Sequence, residues 1–146
     1  MPEVRGCFLP DELLYDVENN IWYQDNSDGT VTMGMTAVAA AMAGPLVAFT
    51  PKRAGRKVAE GKSCATIESG KWVGPAKIAF DAEVIEANDK LSEDPKIANS
   101  DPYGSGWMVK VKPSDWSAAK SGLIPGTEVA GPYEAKMDAD SFGGCA

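Results

Sequence analysis

Histidine does not occur among the 146 residues. Imidazole bases, histidine metal ligands and Ser-His or Cys-His nucleophile pairs are therefore excluded, and with them most side-chain catalysis near neutral pH. Cysteine is scarce. Cys7, Cys64 and Cys145 are spaced too widely for a zinc knuckle or a C-x-x-C redox motif. Cys64 falls within an apolar strand pattern and reads as a small core residue. Cys7 and Cys145, near opposite chain ends, read as reduced thiols, since an acidic chain without a signal peptide points to a reducing compartment.

Basic residues are in the minority, 14 Lys and Arg against 21 Asp and Glu, for a net charge of -7 and a pI near 4.6. That balance argues against nucleic acid, whose phosphates need clustered cations. It suits a cytoplasmic protein that docks on basic partner surfaces, though plain solubility explains it equally well. The opening "MPEVRGCFLPDELLY" has acids and prolines where a secretory signal needs a basic start and an apolar run. Residues Thr30 to Pro51 lack charge and have about the length of a membrane span. Their Thr, Ala and Gly content, divided by Gly44-Pro45, instead indicates strand, short helix and strand. No membrane association is expected.

The pattern that remains is mainly β. "NIWYQ" and "TVTMGM" flank "DNSDG", where Asp28-Gly29 supplies positive-φ turn residues. "TAVAAAMAG" reads as a helix capped by Thr36 and stopped by Gly44 and Pro45. "PLVAFT" is a strand ending at the basic loop "PKRAGRK", which is either a solvated turn or a docking patch for an acidic partner. "KVAEGKSCATIES" gives two strand pieces bent at Glu60-Gly61, and "AKIAFDAEVIEAN" alternates as one or two half-buried strands. A helical turn follows with Asp94 capping Pro95. "WMVKVK" is a period-2 strand, and "PSDWSAAKSG" a helix capped by Ser114 and closed by Gly122. A last helix is expected around Tyr133 to Asp138, before a mobile Gly-Gly-Cys-Ala end.

One residue stands apart. In "TIESGKWVG", Ser69-Gly70-Lys71-Trp72 fits a two-residue type II′ hairpin turn, with Gly70 first and Lys71 second. Lys71 then points away from both strands, packs against nothing and has no carboxylate at helical spacing. A Gly-Lys turn alone carries no functional information; its surroundings do.

From Leu14 to Ser114 the chain resembles the H-protein family of the glycine cleavage system, small carriers with a lipoyl group amide-linked to a hairpin lysine. "IESGKW" corresponds to the family's modified-lysine segment, with Glu68 three residues before Lys71. "DGTVTMGMTAVA" matches its Asp-Gly turn, strand and helix start, and "VIEANDKLSEDPKIANSDPYGSGWMVKVKPSD" its long closing segment. The resemblance implies a barrel-sandwich hybrid, mainly β with short helices, and lipoate attached to Lys71, with Glu68, Ser69, Gly70 and Trp72 around the attachment point. It implies a carrier and not an enzyme, without catalytic residues or metal, and monomeric. A 1–13 N-terminal extension would precede a 14–113 carrier domain, followed by a 114–146 helical extension and tail. Trp72 would shield the dithiolane or pack over the hairpin. Glu68 would position a lipoylating enzyme or keep the strand face soluble. Tyr103 and Trp107 would be turn and core residues. Cys7 and Cys145 could also pair or exchange with the lipoyl dithiol.

Several positions depart from the family pattern. Asn20-Ile21-Trp22 replaces a His-Glu-Trp triplet. Lys52, Arg53, Arg56 and Lys57 replace an acidic strip. Trp72 replaces a small residue, and Ala82 replaces a glycine. With the "VRGCFLPDELLYDVENNIWY" opening, these features look more like the H-protein-like lipoate-binding proteins of heterodisulfide-reductase-like sulfur oxidation. That resemblance implies partners in a heterodisulfide-reductase-like complex and a lipoylating enzyme, with a sulfur intermediate as cargo. The alternatives are a glycine cleavage H protein working with glycine decarboxylase and aminomethyltransferase on an aminomethyl cargo, or an unmodified interaction module. A biotin carrier fits less well, because methionines should flank its lysine where Gly70 and Trp72 stand.

Overall fold

In the computed structural model, which describes residues 3–145, the chain forms twelve strands and five short α-helices. In chain order they are β1 (Glu3–Val4), β2 (Cys7–Phe8), β3 (Leu14–Asp16), β4 (Ile21–Asp25), β5 (Val31–Met35), α1 (Ala37–Ala43), β6 (Leu46–Pro51), β7 (Lys57–Val58) and β8 (Ser63–Ser69). There follow β9 (Val73–Lys77), β10 (Ala82–Ala87), α2 (Asp89–Glu93), α3 (Ile97–Ser100), β11 (Val109–Pro113), α4 (Trp116–Lys120), β12 (Ile124–Pro125) and α5 (Ala130–Ala139). None of the described helices is long and apolar enough to cross a membrane.

Seven strands form one antiparallel sheet in the order β12-β3-β4-β5-β11-β10-β7, and β6-β8-β9 form a second. Neither closes on itself, so the architecture is the expected mainly β barrel-sandwich with short helices. Alternation drives the pairing. β8 buries Cys64, Ala65, Ile67 and Ser69 while Thr66 and Glu68 face out, and a bulge between Ser63 and Ala65 lets adjacent residues point inward. Between the sheets lie Tyr23, Met33, Phe49, Ile67, Ile78, Val84 and Val111. Cys64 is fully buried there, as its strand position suggests, and burial pushes its thiol up to about 12.

A second apolar cluster joins the chain ends. The β1-β2 hairpin contributes Val4 and Cys7, α5 contributes Tyr133 and Met137, and α1 contributes Val38. Here the structure corrects the cysteine reading. Cys7 and Cys145 form a disulfide, with their Cα atoms 4.9 Å apart. Sequence distance conceals this pairing because only the finished fold brings the hairpin beside the C-terminal segment. The end expected to be mobile is accordingly fastened as far as Cys145, whose N–H also donates to the Arg5 carbonyl at 2.9 Å.

Other local expectations shift by small amounts. Thr36 caps α1 by accepting from the Ala39 N–H, and Gly44 ends it at φ 77°, both as expected. In the β4–β5 turn the left-handed residues are Ser27 and Gly29, while Asp28 accepts from Thr30. α4 is capped by Asp115, whose carboxylate accepts from Ala118, and not by Ser114. Asp94 ends α2 and makes no side-chain cap to α3. Trp107 and Tyr103 are half-buried against the terminal cluster.

Candidate functional site

The β8–β9 hairpin places Lys71 at its tip. β8 and β9 pair in register up to Glu68 and Val73, leaving Ser69 to Trp72 as the connection. The Ser69 N–H donates to the Trp72 carbonyl at 2.7 Å. The buried Ser69 hydroxyl accepts from the Lys71 N–H at 3.4 Å and lies 3.5 Å from the Trp72 carbonyl. Gly70 does not adopt a positive φ, so the expected type II′ turn is not formed. The short Ser69 N–H to Trp72 carbonyl bond closes the connection, with the Ser69 hydroxyl near both turn backbone groups.

Lys71 is exposed and forms no ion pair among the described residues. It does not stand free of the protein, contrary to expectation. Its Cε lies 3.6 Å from where a Cβ would stand on Gly44, so the aliphatic stem passes over the end of α1. Gly44 itself is set by its backbone, whose φ of 77° favours glycine.

Beside the lysine runs a groove of about 550 Å³. Ile21 of β4, Met35 of β5, Met42 and Ala43 of α1 and Ile67 of β8 give it apolar walls. Lys71, Trp72 and Lys77 close the hairpin side, and Glu18 with Asn19 and Asn20 forms a polar rim. Asn20 is itself committed, its Oδ1 accepting from the Tyr133 hydroxyl at 3.1 Å. A chain of methylene groups tipped with sulfur could lie in such a groove, shielded from water yet attached through an amide at its edge. No group of three or more His, Cys, Asp or Glu side chains suited to a metal occurs among the described residues.

The neighbours named from sequence divide into separate roles. Trp72 lines the groove and packs over the hairpin, its indole lying against Gly74. Ser69 and Gly70 build the turn. Glu68 points to the outer face of β8, beside its cross-strand partners Ala48 and Val73, and does not line the groove. The sequence reading missed the opposite wall, Ile21, Met35, Ala39 and Met42. These residues look like ordinary core in sequence, and only the tertiary fold brings β4, β5 and α1 to Lys71.

Comparison with known proteins identifies the family and the fold. The family described as Glycine cleavage H-protein matches residues 13–136. "Glycine cleavage system H protein 5" of Aquifex aeolicus is 50% identical over 134 residues, covering 89% of this chain and 90% of its own. "Glycine cleavage system H protein 2" of the same organism is 44% identical, covering 86% and 78%. A crystal structure of a glycine cleavage system H protein from Mycobacterium marinum superposes with a TM-score of 0.74 at 28% identity, covering 88% of this chain and 98% of that one. The chain therefore belongs to the glycine cleavage H-protein family, whose members are lipoate-bearing carriers and not enzymes.

Proposed function

We propose that the protein is a lipoyl carrier with the lipoyl group amide-linked to Lys71 Nζ. The observation that carries this reading is an exposed lysine at a hairpin tip that lines an apolar groove and has no ion pair among the described residues. When bound, the lipoyl group supplies a cyclic disulfide that opens to a thiolate or other nucleophile and can close again. This chain supplies the rest. Ser69 lies at the base of the arm, and Trp72 with Ile21, Met35 and Met42 offers an apolar resting place. Residues 14–113 would form the carrier portion.

The family relationship favours glycine cleavage, with glycine decarboxylase and aminomethyltransferase as partners. A second reading is a carrier for a cytoplasmic heterodisulfide-reductase-like sulfur-oxidation complex. It rests on the apolar residues Ile21 and Pro75 in the groove lining and on the basic loop. The likeness to two differently numbered H proteins of one organism also favours specialised copies.

Intact-mass analysis of protein made with a lipoylating enzyme tests the attachment. One lipoyl adduct, absent from Lys71→Arg, is expected; an unmodified chain, or an adduct that survives the substitution, overturns it. Glycine–bicarbonate exchange by glycine decarboxylase with the modified protein then separates the two readings. Exchange supports the first, and its absence with an authentic decarboxylase supports the second.

A further inference from the structure

A second sulfur site lies at the other end of α1. Cys7 and Cys145 close a loop with a sequence separation of 138. Their surroundings are unequal. Cys7 is wholly buried in the terminal cluster, whereas Cys145 is only half-buried, on the last described residue. Of the two residues, Cys145 is the one with surface open to an incoming thiolate, and Cys7 has none.

The segment carrying Cys145 rests on few other ties. Arg5 Nη1 donates to the Phe142 carbonyl at 3.3 Å, the Phe142 N–H donates to the Met137 carbonyl, and the Cys145 N–H donates to Arg5. What the segment touches is α1. The Cys145 sulfur lies 3.7 Å from the Ala37 carbonyl oxygen. The Ala37 N–H donates to the Tyr103 hydroxyl, which in turn donates to the carbonyl of Phe8, the neighbour of Cys7. From α5, the Tyr133 hydroxyl meets Thr36 Oγ1, the cap of α1, at 3.2 Å. The same helix turns Ala39, Met42 and Ala43 to the Lys71 groove and Val38 to the terminal cluster. Seven residues do not hold a helix without such flanking contacts. α1 is thus one thin wall shared by the disulfide and the groove.

We infer that Cys7–Cys145 is a thiol–disulfide exchange site for a dithiol, and that opening it releases the C-terminal segment and loosens the α1 wall of the Lys71 groove. One thiolate of the dithiol attacks Cys145 Sγ. The Sγ–Sγ bond breaks, and Cys7 leaves as a thiolate that takes up a proton. The second thiolate then attacks the sulfur of the dithiol within the mixed disulfide and releases Cys145 as a thiol. The dithiol ends as its own disulfide, having delivered two electrons and two protons. Cys64 takes no part, because it is buried in the other core cluster. The site rests on α1 and the terminal cluster and stands whether or not Lys71 is modified.

The test uses the full chain, both lipoylated and as Lys71→Arg, equilibrated with graded mixtures of reduced and oxidised dithiothreitol. Thiols are counted by alkylation and mass, and amide exchange is followed over residues 37–43 and 130–145. Two new thiols should appear together without global unfolding. A monothiol should be trapped on Cys145 and not on Cys7. Exchange over 37–43 should then quicken by about tenfold or more, as expected when a local opening becomes easier. Cys145→Ser should show the quickened exchange without reductant. Two results would overturn the inference: thiols that appear only when denaturant unfolds the whole chain, or exchange over 37–43 that is equal in oxidised and reduced protein. Because both forms at position 71 should behave alike, failure here is distinct from failure of the lipoyl assignment.

Discussion

The indole of Trp72 lies across Gly74, two residues further along the same hairpin, so closely that a side chain at 74 would collide with the ring. The ring is 44% exposed, so it can swing into solvent when displaced. Gly74→Ala should therefore change stability by less than about 1 kcal/mol, like other surface substitutions. The readout is Trp72 emission, measured in a variant with the other three tryptophans replaced by phenylalanine. It should become more accessible to acrylamide, and an unchanged quenching profile would show that the indole is not seated as described.

Trp22 and Gly34 repeat the arrangement with the opposite outcome. They are cross-strand partners in β4 and β5, and a Cβ on Gly34 would stand 2.8 Å from the indole. Trp22 is buried and donates its Nε1–H to the Pro102 carbonyl at 2.9 Å, so it has nowhere to move. Gly34→Ala should cost about 1–3 kcal/mol by overpacking, seen as a lower denaturant midpoint with an unchanged slope.

Thr36 caps α1 and its hydroxyl also meets Tyr133 within the terminal cluster. Removing it with Thr36→Ala should cost about 1–2 kcal/mol through the lost cap. The variant should also raise amide exchange over α1 more than over β10 and β11, which share no contact with that hydroxyl.

Acid should destabilise the protein through Asp25. The Ser27 N–H and the Trp116 indole N–H both donate to this carboxylate, at 2.8 and 3.0 Å, and hold its pKa below the usual range. A lowered folded-state value means the unfolded chain binds the proton more readily. The stabilisation is then complete above the unfolded pKa of about 3.9 and is lost as pH falls through the lower folded value. Asp25→Asn should flatten the decline of the melting temperature below about pH 4. A parallel decline in both proteins would assign the acid sensitivity elsewhere.

Cys145→Ser removes a cross-link between the chain ends and should lower stability by about 2–4 kcal/mol, chiefly by freeing the unfolded chain. The variant should still fold, since the core between the two sheets does not include either cysteine of the bond. A melting temperature equal to that of the parent would contradict the pairing.

The sheets were readable where side-chain alternation was strong and turns carried glycine. β8, β11 and the limits of α1 all follow from such local signals, as does the lysine at the hairpin tip. What escaped depends on distant parts of the chain meeting. The Ser69 N–H to Trp72 carbonyl bond closes the turn without the chemistry that Gly70 suggests, and nothing near Ser69 announces it. The groove wall joins residues of β4, β5 and α1 to a hairpin about thirty to fifty residues further on. The bond between Cys7 and Cys145 is the extreme case, because its two halves share no neighbourhood until β1, β2 and α5 have assembled on α1. Capping at Asp115 instead of Ser114 is a smaller miss, a choice between adjacent residues both able to cap.

The bond between Cys7 and Cys145 closes residues 7–145 into a covalent ring. A single protease cut anywhere between them opens the ring without parting the pieces, so a nicked molecule gains one water and stays a single covalent species until a reductant is added.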